Sequence, residues 1–288
     1  MKTARTKEEV GTAVAQARRE GKVVGLVPTM GGFHDGHLEL IRISASRAGF
    51  TVVSLFVNPT QFAPGEDLEH YPRDEERDRN LAAAEGAGLL FAPSVDEMYA
   101  AGSSTLVEET ELSRTLCGLS RPGHFRGVTT VVAKLFNIVQ PDLAVFGRKD
   151  LQQLMVIRRM ARDLAFPVEI LDAPVVREPD GLAMSSRNVY LDPAQRERAP
   201  GLYASLIKTA GAVAAGDDRL DELLSRARES VEQRTGGRVE YLEALDSGLA
   251  QASAAADCAY LAAAVQLGGT RLIDNVRVPP GAAGDGVE

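Results

Sequence analysis

The sequence predicts an α/β fold, a parallel sheet with helices on both faces, followed by a smaller α+β part. Three observations predict it. Strand-like and helix-like segments alternate through the first two-thirds of the 288 residues, at the interval of βαβ units. Residues 51–57 form a nearly unbroken apolar, β-branched run, the pattern of a strand buried on both faces. Beyond about Val176 the order reverses, and Ala-rich helical segments precede strand-like ones. The expected division is 1–176 and 177–288, with a Gly/Pro/Ala-rich tail from about 279 that reads as disordered.

Each element has its own signal. Val10, Ala13, Val14 and Ala17 share one face of a first amphipathic helix. An apolar strand at 23–27 stops at Pro28 and a glycine turn, and a helix follows over 38–47. The strand at 51–57 ends at Asn58-Pro59-Thr60, a charged helix covers about 73–85, and a short strand lies at 88–92. An apolar helix at 129–139 feeds a strand at 143–146, and a helix at 151–163 leads to a strand at 167–171. The second part carries helices at 199–215 and 220–232 and strands at 239–242 and 259–267.

Bulk properties exclude whole classes of function. A net charge of −8 argues against broad binding to nucleic acid or anionic membranes. No apolar stretch is long enough to span a bilayer. Residues 1–20 are charged and helix-patterned, without the apolar segment of a signal peptide. Cys117 and Cys258 are far apart and in no metal-like spacing, so a reducing, cytoplasmic setting is expected.

In a parallel α/β sheet ligands bind at the carboxyl ends of strands, which selects the residues after Val27, Val57 and Phe146. The first end carries Met30-Gly31-Gly32-Phe33-His34-Asp35-Gly36-His37 at a helix entrance. Unpaired N–H groups and the helix dipole favour an anion there, phosphate above all. Glycines admit close approach, and His34 and His37, three apart, can face one ligand. Two other readings stay open: surface histidines, or a metal pair, which would want a third ligand. The second end supplies Asn58 and Gln61, neutral amides suited to hydroxyls and a carboxylate, although Asn-Pro also opens self-capping turns. The third supplies Gly147-Arg148-Lys149-Asp150, then Gln152 and Gln153. An ammonium at Lys149 can neutralise phosphate charge, while solvated surface with Asp150 as a helix cap is the plainer reading. Met184-Ser185-Ser186-Arg187 makes an anion clamp or a Ser-rich linker. The loop 121–128 adds Arg121 and Arg126, a surface, a subunit contact or a site.

Taken together, PTMG–x–x–H–x–GH, VNPTQF, RPGHFRGV, KD–x–QQ and MSSRN are similar in order and content to the pantothenate synthetases (pantoate–β-alanine ligases). Weaker similarity continues to Gly269-Thr270-Arg271-Leu272-Ile273-Asp274-Asn275. His34-x-Gly36-His37 alone would indicate only the wider HxGH nucleotidyltransferase superfamily. The resemblance implies a Rossmann-like catalytic domain, a smaller α+β lid and a homodimer. It also implies a two-step ligation of (R)-pantoate and β-alanine driven by ATP. ATP would contact Met30 to His37, Gly147, Arg148, Lys149, Asp150, Val176, Met184, Ser185, Ser186 and Arg187. His37, His34 and Lys149 would be catalytic, with His37 the family's proton donor. Gln61, Gln153, Val131 and Val132 would hold pantoate, and Gln61 and Asn58 β-alanine. Mg²⁺ would travel with ATP, near Asp78. Arg148, where the family often has glutamate, would add positive charge beside the phosphates. Leu151 replaces a frequent aromatic and would affect packing. The alternatives are another HxGH nucleotidyltransferase, which would need a second phosphate site, or a non-catalytic nucleotide-binding protein.

Overall fold

The computed structural model describes residues 1–278; the tail expected to be disordered lies outside them. The chain divides into two compact units, one of residues 1–148 and 153–173, the other of residues 149–152 and 174 onward.

The first unit is built on six parallel strands. In chain order its elements are β1 (Lys2–Ala4), α1 (Lys7–Arg19), β2 (Val24–Thr29), α2 (Asp35–Arg47), β3 (Phe50–Leu55), α3 (Glu75–Ala84), β4 (Leu89–Phe91), α4 (Val95–Met98), α5 (Cys117–Ser120), α6 (His124–Val139), β5 (Leu143–Gly147), α7 (Leu151–Asp163) and β6 (Glu169–Ala173). Strand order is β1-β4-β3-β2-β5-β6. The connections turn one way from β2 to β3 and the other way to β5, so the switch point lies at β2. Because β3, β2 and β5 are adjacent, the three strand ends picked out by sequence emerge side by side. One apolar cluster packs α1, α6 and α7 with strand side chains such as Leu26, Val52 and Phe146. A second contains Ile41 and Leu38 of α2 with Val27, Val53 and Val145. Alternate residues of the same strands serve the two clusters, as a sheet covered on both faces requires.

β1, three residues at the edge beside β4, is too short to show periodicity in the sequence. α6 begins five residues before the expected start at 129: Gly123, in the left-handed region, precedes the helix, and Phe125, Val128 and Val132 continue its buried face.

The second unit contains α8 (Pro193–Arg198), α9 (Gly201–Ala214), α10 (Leu220–Thr235), β7 (Arg238–Leu245), β8 (Tyr260–Leu267) and β9 (Thr270–Arg277). The strands form an antiparallel sheet, β7-β8-β9, packed with Leu202, Leu206, Leu223 and Val231 of the helices. The edge strand β9 was not anticipated: its row Leu272, Asp274, Val276 puts a carboxylate among core residues, which breaks the apolar alternation. Among the described residues no helix is long and apolar enough to cross a membrane.

Candidate active site

His34 is the N-cap of α2 and His37 its third helical residue, with ring centroids 4.2 Å apart. The paired imidazoles expected from spacing are therefore adjacent. Their hydrogen bonds assign the tautomers. The Gly36 N–H donates to His34 Nδ1 at 3.1 Å, and the His34 N–H donates to His37 Nδ1 at 3.4 Å. A nitrogen that accepts carries no proton, so each neutral ring holds its proton at Nε2. Both rings thus present an Nε2–H donor. Phe33, buried, stacks on His37 at 5.3 Å, whereas Asp35 is exposed.

The turn before α2 needs its glycines, since Gly31 and Gly32 have φ of +93° and +66°, a region costly for other residues. Asp78 of α3 fixes it. Its Oδ2 accepts the Gly32 N–H at 2.8 Å and its Oδ1 the Phe33 N–H at 2.9 Å, and Asp78 is 1% exposed. Burial pushes this carboxyl above the usual range, against the two N–H groups and Arg77, which favour the anion. Each oxygen accepts one backbone N–H group, which commits the carboxylate to the turn while leaving a second lone pair on each oxygen. Among the described residues no group of three or more His, Cys, Asp or Glu side chains could hold a metal ion.

On the next strand end, Pro59–Gln61 form a 3₁₀ turn capped by Asn58. Asn58 is 1% exposed, and its polar atoms are engaged internally. Nδ2 donates to Gln61 Oε1 and to the Gly127 carbonyl, each at 3.1 Å, while Oδ1 accepts from Tyr99 Oη and Thr60 Oγ1, each at 2.9 Å. The expected β-alanine ligand thus orients the Gln61 amide. With Oε1 accepting, buried Gln61 directs its NH₂ toward the end of β2, where it meets the weak acceptor Met30 Sδ at 3.0 Å. An anionic oxygen is a far better partner for that donor.

The loop at 121–128 contributes in a way its sequence did not resolve. His124 Nδ1 lies 2.8 Å from the Gln61 carbonyl, which can only accept, so Nδ1 carries the proton and Nε2 accepts from Arg121 at 3.1 Å. Arg121 pairs with Glu66 at 2.6 Å, and this pairing brings Glu66 below the usual carboxylate range despite the opposing effect of burial. Tyr99, Glu66, Arg121 and His124 all hold the Gln61 turn. No local pattern could reveal them, because the bonds Tyr99–Asn58, Arg121–Glu66 and His124–Gln61 span 41 to 63 residues of sequence.

Val131 and Val132 are buried within the α6 core cluster, and Gln153 is half-buried. Leu151 is buried at the start of α7. The Arg148 guanidinium pairs with Asp172, which also binds Arg158. Two guanidiniums share this one carboxylate, so the group of three keeps a net charge of +1. These hydrogen bonds outweigh burial and keep Asp172 below its usual range.

Lys149 and Asp150, expected at the third strand end, group with the second unit, as do Val176 and Met184 to Arg187. Residues 148–150 form a 3₁₀ turn. Arg177 bridges Ala183 in antiparallel fashion, and the Met184 N–H donates to the Val176 carbonyl at 3.0 Å. That small arm presents Ser185, whose Oγ accepts the Arg187 N–H as the cap of the 3₁₀ turn Ser186–Tyr190.

Comparison with known proteins finds relatives that match nearly the full length of the chain. The sequence profile described as Pantoate-beta-alanine ligase matches residues 2–277. The chain is 51% identical over 282 residues to a pantothenate synthetase of Pseudomonas savastanoi pv. phaseolicola, covering 96% of this chain and 99% of the relative. It is 50% identical over 277 residues to one from Moorella thermoacetica, covering 96% and 98%. A crystal structure of pantothenate synthetase from Thermus thermophilus superposes with a TM-score of 0.90 at 45% identity, covering 97% of this chain and all of that one. A pantoate-beta-alanine ligase from Francisella tularensis, solved with beta-gamma ATP and beta-alanine, superposes with a TM-score of 0.79 at 31% identity, covering 96% and 97%.

Proposed function

The chain belongs to the pantoate–β-alanine ligase family, and from that membership and its site chemistry we infer that it joins (R)-pantoate to β-alanine at the expense of ATP. A pantoate carboxylate oxygen attacks the α-phosphorus, the bond to the β-phosphate oxygen breaks, and pyrophosphate leaves. The β-alanine amine then attacks the acyl carbon of pantoyl-adenylate, AMP departs, and the amine gives up a proton. Adenylation makes a poor electrophile reactive, so the enzyme needs positioning and charge stabilisation rather than a protein nucleophile.

The observation that carries this reading is the pair of imidazoles protonated at Nε2 at the α2 entrance, with the Gln61 amide directed toward Met30 from the neighbouring strand end. We assign His34 and His37 to the α-phosphate as charge rises there. Because attacking and leaving groups are both anionic oxygens, His37 acts as a hydrogen-bond donor more than as an obligatory acid. Gln61, oriented by Asn58, donates to pantoate and then to β-alanine, with Gln153, Val131 and Val132 also assigned to pantoate. Met30 to His37, Gly147 and Arg148 in the first unit are assigned to ATP. So are Lys149, Asp150, Val176, Met184, Ser185, Ser186 and Arg187 in the second, with Lys149 neutralising phosphate charge.

Mg²⁺ would enter with ATP, held by phosphate and water, and Asp78 would act on the turn rather than on the ion. Homodimeric assembly, a lid role for residues 177–288 and a cytoplasmic location belong to the same proposal.

The decisive experiment supplies ATP, Mg²⁺ and (R)-pantoate with and without β-alanine and identifies the products by mass spectrometry. Pantothenate with stoichiometric AMP is expected. Pyrophosphate without pantothenate would point to another amine acceptor. No turnover in folded protein would favour the non-catalytic nucleotide-binding alternative.

A further inference from the structure

The second unit contains a buried carboxylate that the ligation chemistry does not use. Asp274 lies in the core-facing row of β9 with Leu272 and Val276 and is 4% exposed. Burial pushes its carboxyl above the usual range, against the pull of Arg177. An acid in an apolar row is costly, and its partners show what it holds.

Arg177 meets Asp274 with both arms of its guanidinium, Nη1 to Oδ2 at 2.6 Å and Nη2 to Oδ1 at 2.9 Å. The same guanidinium donates to the Gly181 carbonyl at 3.1 Å and lies 3.7 Å from the Tyr203 ring centroid. Arg177 thereby fixes the arm that runs from Val176 to Met184. Asp274 Oδ1 also accepts the Asn275 N–H at 2.8 Å, and Asn275 Nδ2 donates to the main-chain carbonyl of Lys149 at 3.0 Å. Lys149 lies 126 residues away in sequence, and this bond crosses that distance. Successive strand residues point to opposite faces, so one dipeptide reaches both segments.

We propose that Asp274, Asn275 and Arg177 are positioning residues for nucleotide binding, which set Lys149 and the Met184–Arg187 segment in one fixed relation. The proposal rests on the assignment of Lys149 to the phosphates. A fork-shaped, bidentate pair suits this task because it fixes direction as well as distance. The Asp274-Asn275 segment thus acquires a role without touching substrate.

The test is a double-mutant cycle on Lys149 and Asn275, read by pyrophosphate release and by titration with a β,γ-methylene analogue of ATP. Asn275→Ala is expected to raise the ATP KM and weaken analogue binding by about 10- to 100-fold, the scale of a misplaced binding group. Conversion of supplied pantoyl-adenylate with β-alanine should keep its KM for β-alanine. Lys149→Ala should weaken ATP binding, and adding Asn275→Ala to it should cost little more, because the positioned group is gone. Asn275→Ser, a smaller change that keeps a donor, should recover part of the loss, and it carries the same cycle if Asn275→Ala does not fold. Additive losses, or an unchanged ATP KM where Lys149→Ala weakens binding, would overturn the inference. No effect of Lys149→Ala itself would instead remove the assignment beneath it.

Discussion

At the scale of single residues, the catalytic reading rests on where protons sit. The N-cap geometry of His34 and the return bond to His37 engage both Nδ1 atoms with backbone N–H groups, so the proton of each neutral ring sits on Nε2. A donor aimed at developing charge is worth more in the transition state than in the ground state. His37→Ala is therefore expected to lower kcat of pyrophosphate release by about 10²- to 10³-fold. With supplied pantoyl-adenylate, the β-alanine KM should stay unchanged. An equal loss in both half-reactions would show that His37 supports the fold of the loop rather than the phosphate. Asn58 illustrates the complementary case. Its residue type suggested contact with substrate, but its buried amide is engaged by Gln61, Gly127, Thr60 and Tyr99.

At the scale of elements, the start of α6 and the turn Pro59–Gln61 behave as one piece. A Cβ on Gly127 would stand 2.7 Å from the Gln61 Cα and also strike the Thr60 carbonyl, both backbone atoms that cannot rotate aside. Gly127 also supplies the carbonyl that receives Asn58 Nδ2. Gly127→Ala should therefore cost about 1–3 kcal/mol of stability by overpacking and raise the pantoate KM, measured by chemical denaturation and by steady-state kinetics. A stability loss with pantoate KM intact would separate the packing of α6 from the placement of Gln61. Asp78 couples α3 to the loop before α2 in the same manner, by two hydrogen bonds to main-chain N–H groups.

At the scale of the whole molecule, the ion pairs that join distant segments make stability depend on pH. Asp172 of β6 receives Arg158 from α7 and Arg148 from the turn after β5. Its folded carboxyl titrates below the ordinary 3.8, so its contribution is fully present above that value and is lost as pH falls through the folded pKa. Asp172→Asn should lower Tm by about 2–4 °C at neutral pH, and the gap to the parent protein should begin to narrow below about pH 4 and close as pH falls through the folded pKa. A gap that persists at pH 2 would assign the effect to packing. Sequence alone determined the parallel sheet, the helix entrance with paired histidines and the family, because periodicity, strand length and short motifs are local properties of the chain. Tertiary structure alone decided that Asn58 and Asp78 face inward, that Arg148 shares Asp172 with Arg158, and that β9 grips Lys149. Each of these depends on a partner distant in sequence, 126 residues away for Asn275 and Lys149. Spacing within a segment carries no information about what another segment places beside it once the core has closed.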